Sequence, residues 1–504
     1  MQRNILEYLE RTVRRVPKKT AISSEEGALT FRELYRQARA IGTGLLREGY
    51  SKKPVVVFMS KQPKTVAAFL GVVYSGCFYV PLDGDMPHYR IELILQSLQP
   101  AACICDETTL LLAREWNGFG RLYRYEDLAF GGIGAAALQA VRDRQIDTDP
   151  VYLVFTSGST GIPKGVVGSH RAVIDYIENL CSVIRFDEST VFGNQTPLYF
   201  DACLKELLPT LKYGATTHLI PRRLFLMPVK LVEYLNEKKI NTLCWVVSAL
   251  TYISAFKTFE TVLPQYIKTV AFASEVFPIR QLNLWRQALP NTRFINLYGP
   301  TETTGICCWY EVDREFSEAE ALPVGRPFPN TEVILLDENG RIPSPGDRGE
   351  ICIRGSRLTH GYYGDPEKTG EVFIQNPLNP YYPERIYRTG DMGRYNDRGE
   401  LIFLCRKDQQ IKHMGHRIEL GEIEAVAAQH SSVSGVCCVF DPLRKQILLY
   451  FSGNLPEAAL KADLKKKLPR YMIPHKILHL EAMPLTPNGK IDRKGLQERS
   501  KQNG

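Results

Sequence analysis

Between Val154 and Val167 the chain reads VFTSGSTGIPKGVV, a run of small, hydroxyl-bearing and turn-forming residues with one lysine near its end. The preceding VYLVF is an apolar run short enough for a buried strand, and Ala172, Ile174, Tyr176, Ile177 and Leu180 then recur at helical spacing. The stretch is therefore expected to be a strand–loop–helix connection. Its backbone N–H groups and hydroxyls can face an anion, and phosphate is the natural candidate. It is not a Walker P-loop, which needs Gly-Lys followed by Ser or Thr: Pro163 precedes Lys164 and Gly165 follows it. Pro163 also biases Ile162 to an extended conformation. The lysine is then not delivered at a helix N-terminus, which disfavours a kinase or GTPase. Alone, such a loop is also compatible with a flexible surface turn.

The elements around the loop set a frame. At 504 residues the chain exceeds one hydrophobic core, so two or more domains are expected. From about 50 to 310, short apolar runs (PVVVFM, AACICD, TLCWVV, TVAFAS, RFINLYG) alternate with helical patterns, the rhythm of βαβ units. From about 320 to 404 the texture becomes antiparallel and barrel-like, with hairpin signals at Glu338-Asn339-Gly340 and Asp397-Arg398-Gly399. Helices and short strands return after LCRKDQQIKHMGHR, which puts a boundary near Arg406 to Asp408. The N-terminal MQRNILEYLERTVRRVPKK reads as a charged amphipathic helix without the apolar core of a signal peptide. The uncharged run Thr65–Leu82 contains Ser75-Gly76, Tyr79 and Pro81, and reads as helix, turn and buried strand rather than a membrane span.

Twelve cysteines are scattered without zinc spacing, and the adjacent pairs Cys307-Cys308 and Cys437-Cys438 sit in apolar runs as packing residues. Free thiols and no secretion signal point to the cytoplasm. The net charge of +8 is concentrated at the end: Asp441–Gly504 carries thirteen Lys/Arg against six Asp/Glu. No aromatic-interleaved basic motif supports nucleic acid, so an acidic protein partner is the better reading.

TSGSTGIPKG, YGPTE from Tyr298, YRTGD from Tyr387, RKDQQIKHMGHRIELGEIE from Arg406 and PNGKID from Pro487 together resemble the adenylate-forming ligase superfamily. LTFREL, YVPLD, GEICIRG and LPRYMIPH extend the resemblance over essentially the whole chain, in the family's order. Within it, the chain is similar to amino-acid adenylation domains of non-ribosomal peptide synthesis and to D-alanine–carrier protein ligases. The resemblance implies an α/β fold. Its large N-terminal domain (1–404) would hold two βαβ subdomains and a small β-barrel, joined by a hinge (405–408) to a small mobile α+β lid (409–504).

It also implies roles. Thr156, Ser157, Gly158, Ser159, Thr160, Gly161 and Lys164 would cradle the triphosphate of ATP, and Glu302 would hold Mg²⁺, a hard cation preferring carboxylate oxygen. Tyr298 would stack on adenine, with Asn296, Gly299, Pro300 and Thr301 around the base. Asp391 would accept the ribose hydroxyls, and Arg406 would contact ribose or phosphate. Lys490 would be the catalytic lysine, supplying positive charge at the α-phosphorus. Asp408 would be the hinge, with Cys405 standing where the family usually has glycine. The absence of a fused carrier sequence leads us to expect a free-standing enzyme that loads a separate phosphopantetheinylated carrier protein, its acidic surface complementing the basic tail.

Asp201 matches the residue that pairs with the substrate's α-ammonium and that CoA ligases of plain acids generally lack. An ordinary helix N-cap is its bland alternative. By motif alignment, Ala202, Lys205, Cys244, Ala271, Ala273, Leu297, Gly305 and Ile306 line the side-chain pocket, small walls at Ala271, Ala273 and Gly305 leaving depth. Lys205 is the odd member. It either forms an i, i+4 pair with Asp201, folds onto Glu206, or reads a carboxylate on the substrate. The alternatives at this stage are an acyl-CoA-type ligase of a non-amino acid and a degenerate nucleotide-binding subunit. The second is weakened by the presence of Lys490, Glu302 and Asp391.

Overall fold

The run Pro54–Phe58 lacks polar alternation because every one of its residues is buried. In the computed structural model, which describes residues 2–158, 161–486 and 491–502, this strand sits inside a six-stranded sheet. The order is Arg121–Arg124, Ala102–Cys105, Pro54–Phe58, Phe78–Leu82, Pro150–Thr156, Lys164–Ser169, and the first five pair in parallel. The uncharged run resolves into helix Pro63–Tyr74 and strand Phe78–Leu82. Among the described residues, no helix is long and apolar enough to cross a membrane. The LTFREL segment starts a helix, Phe31–Arg47, through a capping box in which Thr30 and Glu33 bond each other's backbone N–H.

The second sheet has nine strands, ordered Arg326–Pro327, Cys308–Glu311, Arg293–Tyr298, Thr269–Ala273, Thr242–Val246, Val191–Asn194, Thr216–Leu219, Thr20–Ser24, Gly27–Thr30. The centre is parallel, and the two edges are antiparallel. Strand alternation divides its side chains between two cores. Cys244, Ala271, Ala273, Ile295 and Leu297 share one face and one cluster with Tyr176 of helix His170–Ile184, while Leu243, Trp245, Val270, Phe272 and Phe294 pack on the other around Trp285.

A third, wholly antiparallel sheet joins Thr331–Leu336, Gly349–Gly355, Arg385–Tyr395 and Phe373–Gln375, with Leu401–Arg406 also on Arg385–Tyr395. A bulge interrupts that last pairing. Gly393 faces Phe403 but Met392 faces Cys405, so Leu404 is the extra residue and Asp391 comes opposite Arg406. Cys405 is exposed, extended strand and needs no left-handed φ, so a side chain is accommodated there.

One expectation changes. The Thr156–Lys164 loop does not lead straight into a helix: Lys164–Ser169 is a strand, and the helix begins at His170. Val166 and Val167 favour extended backbone, and the Ser169 hydroxyl caps the helix by accepting from the Ala172 N–H at 3.3 Å.

The chain divides into two compact units: residues 1–84, 98–154 and 165–407, and residues 85–97, 155–164 and 408–504. The second contains a three-stranded sheet (Val433–Asp441, Gln446–Gly453, Lys476–His479) and the hairpin Gln410–His413/His416–Glu419. The two hairpin-loop residues, Met414 and Gly415, both have positive φ, as a two-residue primed turn requires. Helices Leu420–Ala428 and Glu457–Lys467 bury Ile423, Val426, Leu460 and Leu464 against this sheet.

Candidate active site

In the first unit, strand Arg293–Tyr298 ends at a loop that doubles back on itself. A Cβ on Gly299 would lie 2.1 Å from the Gly305 carbonyl oxygen, so only glycine fits between Tyr298 and Pro300. Thr301–Thr303 forms one 3₁₀ turn, and Thr304 and Gly305 follow at positive φ. This turn buries Glu302 completely. The Glu302 Oε1 accepts from the Tyr362 hydroxyl at 2.8 Å, and its carbonyl accepts from the Thr359 N–H and hydroxyl, both at 3.0 Å.

Tyr298, Asp391 and Arg406, from three separate motifs, meet in one chain of hydrogen bonds. The Tyr298 hydroxyl donates to Asp391 Oδ2 at 2.6 Å, and Arg406 Nη1 donates to Asp391 Oδ1 at 2.8 Å and to the Thr389 carbonyl at 2.6 Å. Burial, then the Asp391 carboxylate, hold the Tyr298 phenol far above its ordinary range, so it stays a donor. Each carboxylate oxygen has a second lone-pair direction, so Asp391 can accept further donors. The Asn296 side-chain amide donates to the Pro323 carbonyl at 2.8 Å.

Asp201 opens a 3₁₀ turn, Asp201–Cys203, that leads into helix Leu204–Tyr213. Its Oδ2 is buried without a hydrogen-bond partner among the described residues. Burial pushes the carboxyl up to about 6; the Thr301 hydroxyl and Lys205 pull it down, and Glu302 pushes it up again. It is not an N-cap in this structure: Phe200 stands at the cap of this turn and Cys203 at the cap of the helix. Lys205 is almost fully buried, and neither a hydrogen bond nor an ion pair to it is present among the described residues. The i, i+4 pair with Asp201 does not form, nor does a pair with Glu206; the change from 3₁₀ to α between positions 201 and 205 disturbs the alignment such a pair needs. Glu206 instead accepts from the Asn194 side-chain amide, and burial raises its carboxyl. Nearby, Lys61 donates to the carbonyls of Asn194 (3.0 Å) and Gln195 (3.1 Å).

Register places the remaining wall residues. Cys244 lies beside Ala271, and Val246 beside Ala273, so Cys244, Ala271 and Ala273 share the sheet face that also carries Leu297. Leu297 and Ile306 are buried in the same cluster, and Ala202 is half-buried. The depth expected at Gly305 is not empty. A Cβ there would meet the Tyr176 ring at 3.3 Å, so Tyr176 fills that space.

Two contributors escaped the sequence reading. Arg357, fully buried, pairs with Asp175 at 3.0 Å and points its guanidinium at the Ile306 carbonyl, while its own carbonyl accepts from the Thr304 hydroxyl. It ties the loop to helix His170–Ile184, and nothing in GSRLTHG signals this. Tyr176 registered only as one apolar position in a helical pattern.

In the second unit, a Cβ on Gly158 would lie 2.0 Å from the Ile162 carbonyl oxygen, which explains the glycine, and Gly161 has φ +85°. The loop's groups are engaged: Ser157 Oγ donates to the Arg417 carbonyl at 2.8 Å, the Gly158 N–H donates to Glu422 Oε2 at 3.3 Å, and Lys164 Nζ lies 3.8 Å from Glu419. Glu422 is also paired with Arg90. Thr156 Oγ1 is buried and without a partner among the described residues. Asp408 is exposed and accepts from the Gln410 N–H at 3.1 Å. Ser159, Thr160 and Lys490 lie outside the described residues.

In the first unit, a buried carboxylate and a tyrosine–aspartate–arginine chain carried on two mainly parallel sheets and an antiparallel one, and in the second a glycine-built loop, are features of a nucleotide-using α/β enzyme. The chain belongs to the AMP-binding enzyme family, whose description matches residues 9–363, with the C-terminal domain of AMP-binding enzymes matching 422–490. It is 31% identical to tyrocidine synthase 1 of Brevibacillus parabrevis over 98% of this chain and 45% of that protein. It is 30% identical to the D-alanine–D-alanyl carrier protein ligase of Bacillus licheniformis over 98% of this chain and 99% of that one. The chain thus spans about half the length of tyrocidine synthase 1 and nearly all of the carrier protein ligase. The crystal structure of IdnL1 superposes with a TM-score of 0.82 at 27% identity, covering 95% of this chain and 99% of that one.

Proposed function

We propose that this enzyme uses ATP to convert an α-amino acid into its aminoacyl-adenylate, releasing pyrophosphate, and then passes the acyl group to the phosphopantetheine thiol of a separate carrier protein. The observation that carries the reading is the buried, unpartnered Oδ2 of Asp201. A carboxylate oxygen held out of water without a donor suits a substrate ammonium, and a plain acid would leave that oxygen unmet. Asp391 would take the ribose hydroxyls beside Tyr298, and the Thr156–Lys164 loop would exchange its present carbonyl and carboxylate partners for phosphate oxygens. Glu302 would hold Mg²⁺ through its carboxylate, which fits that ion because it usually takes one or two carboxylates and completes its shell with water and phosphate. When bound, the ion would neutralise charge on the phosphates. Lys490 is assigned the charge-stabilising role at the α-phosphorus, and 405–408, with Asp408 as the residue that turns, the hinge between a core of 1–404 and a lid of 409–504. Cytoplasmic residence belongs to the same reading; cysteines present as free thiols accord with a reducing compartment.

Lys205 narrows the substrate. Lys205 is almost fully buried beside Asp201 and Glu206, with no hydrogen-bond or ion-pair partner of its own among the described residues. A substrate ammonium on Asp201 would occupy that carboxylate, and a side-chain carboxylate on the substrate would give Lys205 a partner. Glutamate or aspartate is therefore the preferred substrate class, with a small residue such as alanine the competing outcome. ATP–pyrophosphate exchange over a panel of amino acids and simple acids tests both levels. Exchange driven best by simple acids would make this an acyl-CoA-type ligase, and exchange with no acid at all would make it a nucleotide-binding subunit.

A further inference from the structure

Tyr176 presents a second buried oxygen without a hydrogen-bond partner among the described residues. It rises from helix His170–Ile184 against the loop that follows Glu302, its hydroxyl 3.4 Å and its ring 3.3 Å from where a Cβ on Gly305 would stand. Asp201 lies at the other end of the same turn, beside Thr301. The two unpartnered oxygens thus bracket the segment Thr301–Gly305, on the sheet face that carries Cys244, Ala271 and Ala273. Burial, then the Asp201 carboxylate, drive the Tyr176 phenol far above its ordinary range, and Cys244 acts in the same direction, so the hydroxyl is neutral.

Packing does not require that hydroxyl. Phenylalanine would fill the space over Gly305 equally well, and a buried oxygen without any hydrogen-bond partner is costly. Tyr152 Oη is likewise buried without a hydrogen-bond partner among the described residues, but its ring and hydroxyl are pressed on Gly168 rather than on Gly305. A cation with several N–H donors can give one to Asp201 Oδ2 and another to the Tyr176 oxygen, and a primary ammonium has three.

We propose that Tyr176 is a second receptor for the substrate's α-ammonium, its Oη accepting one N–H while Asp201 Oδ2 accepts another. The inference rests on the amino-acid reading above. Its test uses non-hydrolysable aminoacyl-sulfamoyladenosine, carrying whichever side chain exchange identifies, and the matching analogue lacking the α-amino group. Both bind through the adenosine, so both affinities can be measured for the wild type and for Tyr176→Phe. The substitution should weaken the amino compound roughly 10- to 100-fold, the scale of one hydrogen bond to a charged group, and leave the desamino compound within about threefold. Equal weakening of both compounds would make Tyr176 a wall residue and overturn the proposal, as would an unchanged ratio. A wild type that binds both analogues equally would instead refute the amino-acid reading itself.

Discussion

Asp201→Asn isolates the charge of the carboxylate while keeping its shape. In the free protein the carboxyl is moved from an ordinary 3.8 to about 6, chiefly by burial, which corresponds to about 3 kcal/mol held against the ionised form. The direction follows from linkage. Below about pH 4 the group is protonated both folded and unfolded, and the substitution changes little. Between pH 4 and 6 the unfolded chain loses its proton while the folded one keeps it, so wild-type stability falls; above pH 6 the loss is complete. Asp201→Asn should therefore be more stable than the wild type at pH 8, by about 1–3 kcal/mol once the cost of an unpaired amide N–H is set against the gain. For a unit of this size that is a rise in melting temperature of a few degrees. The same variant should lose amino-acid-dependent pyrophosphate exchange. The assay is a pair of thermal melts at pH 4 and pH 8 beside the exchange rate. A variant that melts no higher than the wild type at pH 8, or keeps its advantage at pH 4, would refute the claim that a buried ionised Asp201 is held for a ligand.

Lys205→Met should cost an acidic substrate about 2–3 kcal/mol in kcat/KM, the scale of removing one partner from a buried pair, and favour apolar amino acids; wild-type exchange with neither glutamate nor aspartate ends the acidic-substrate reading. Lys490→Ala should slow adenylation roughly 10²–10³-fold and spare transfer from supplied aminoacyl-adenylate; equal loss in both would mark Lys490 as structural. Reversing Lys465 and Lys466, both exposed, should raise the carrier's KM and flatten its salt dependence without touching exchange. Lys467 is left out, because it is already paired with Asp463 at 3.1 Å, and a salt-independent carrier KM in the wild type would remove the acidic-partner reading.

Local pattern carried the strands and the glycine-built turns. The run PVVVF is buried throughout, and Gly158 and Gly299 stand where a Cβ would strike backbone. Motif order carried the convergence of Tyr298, Asp391 and Arg406. Contacts between distant segments were illegible. Arg357 meets Asp175 across more than 180 residues, and Tyr176 fills the space over Gly305, so the pocket depth inferred from small residues was occupied by a side chain from another element. The strand Lys164–Ser169 was missed because its two valines sit among glycines and a lysine, too short a run for a period-2 signal. The Asp201–Lys205 spacing suggested a helical pair because spacing alone cannot show that the first of the two residues stands in a 3₁₀ turn.

The bulge at Leu404 gives strand Leu401–Arg406 a different kind of information from its residue types. Continued without the extra residue from the Gly393–Phe403 pair, the ladder would set Cys405, not Arg406, against Asp391. The guanidinium reaches the carboxylate because of a count. Substitutions from Leu401 to Cys405 leave that count alone, whereas one residue inserted there with the bulge retained turns the arginine to the opposite face. Removing Leu404 itself restores a regular ladder with the pair intact. For the pairing of Arg406 with Asp391, an insertion in this strand is a graver change than a substitution.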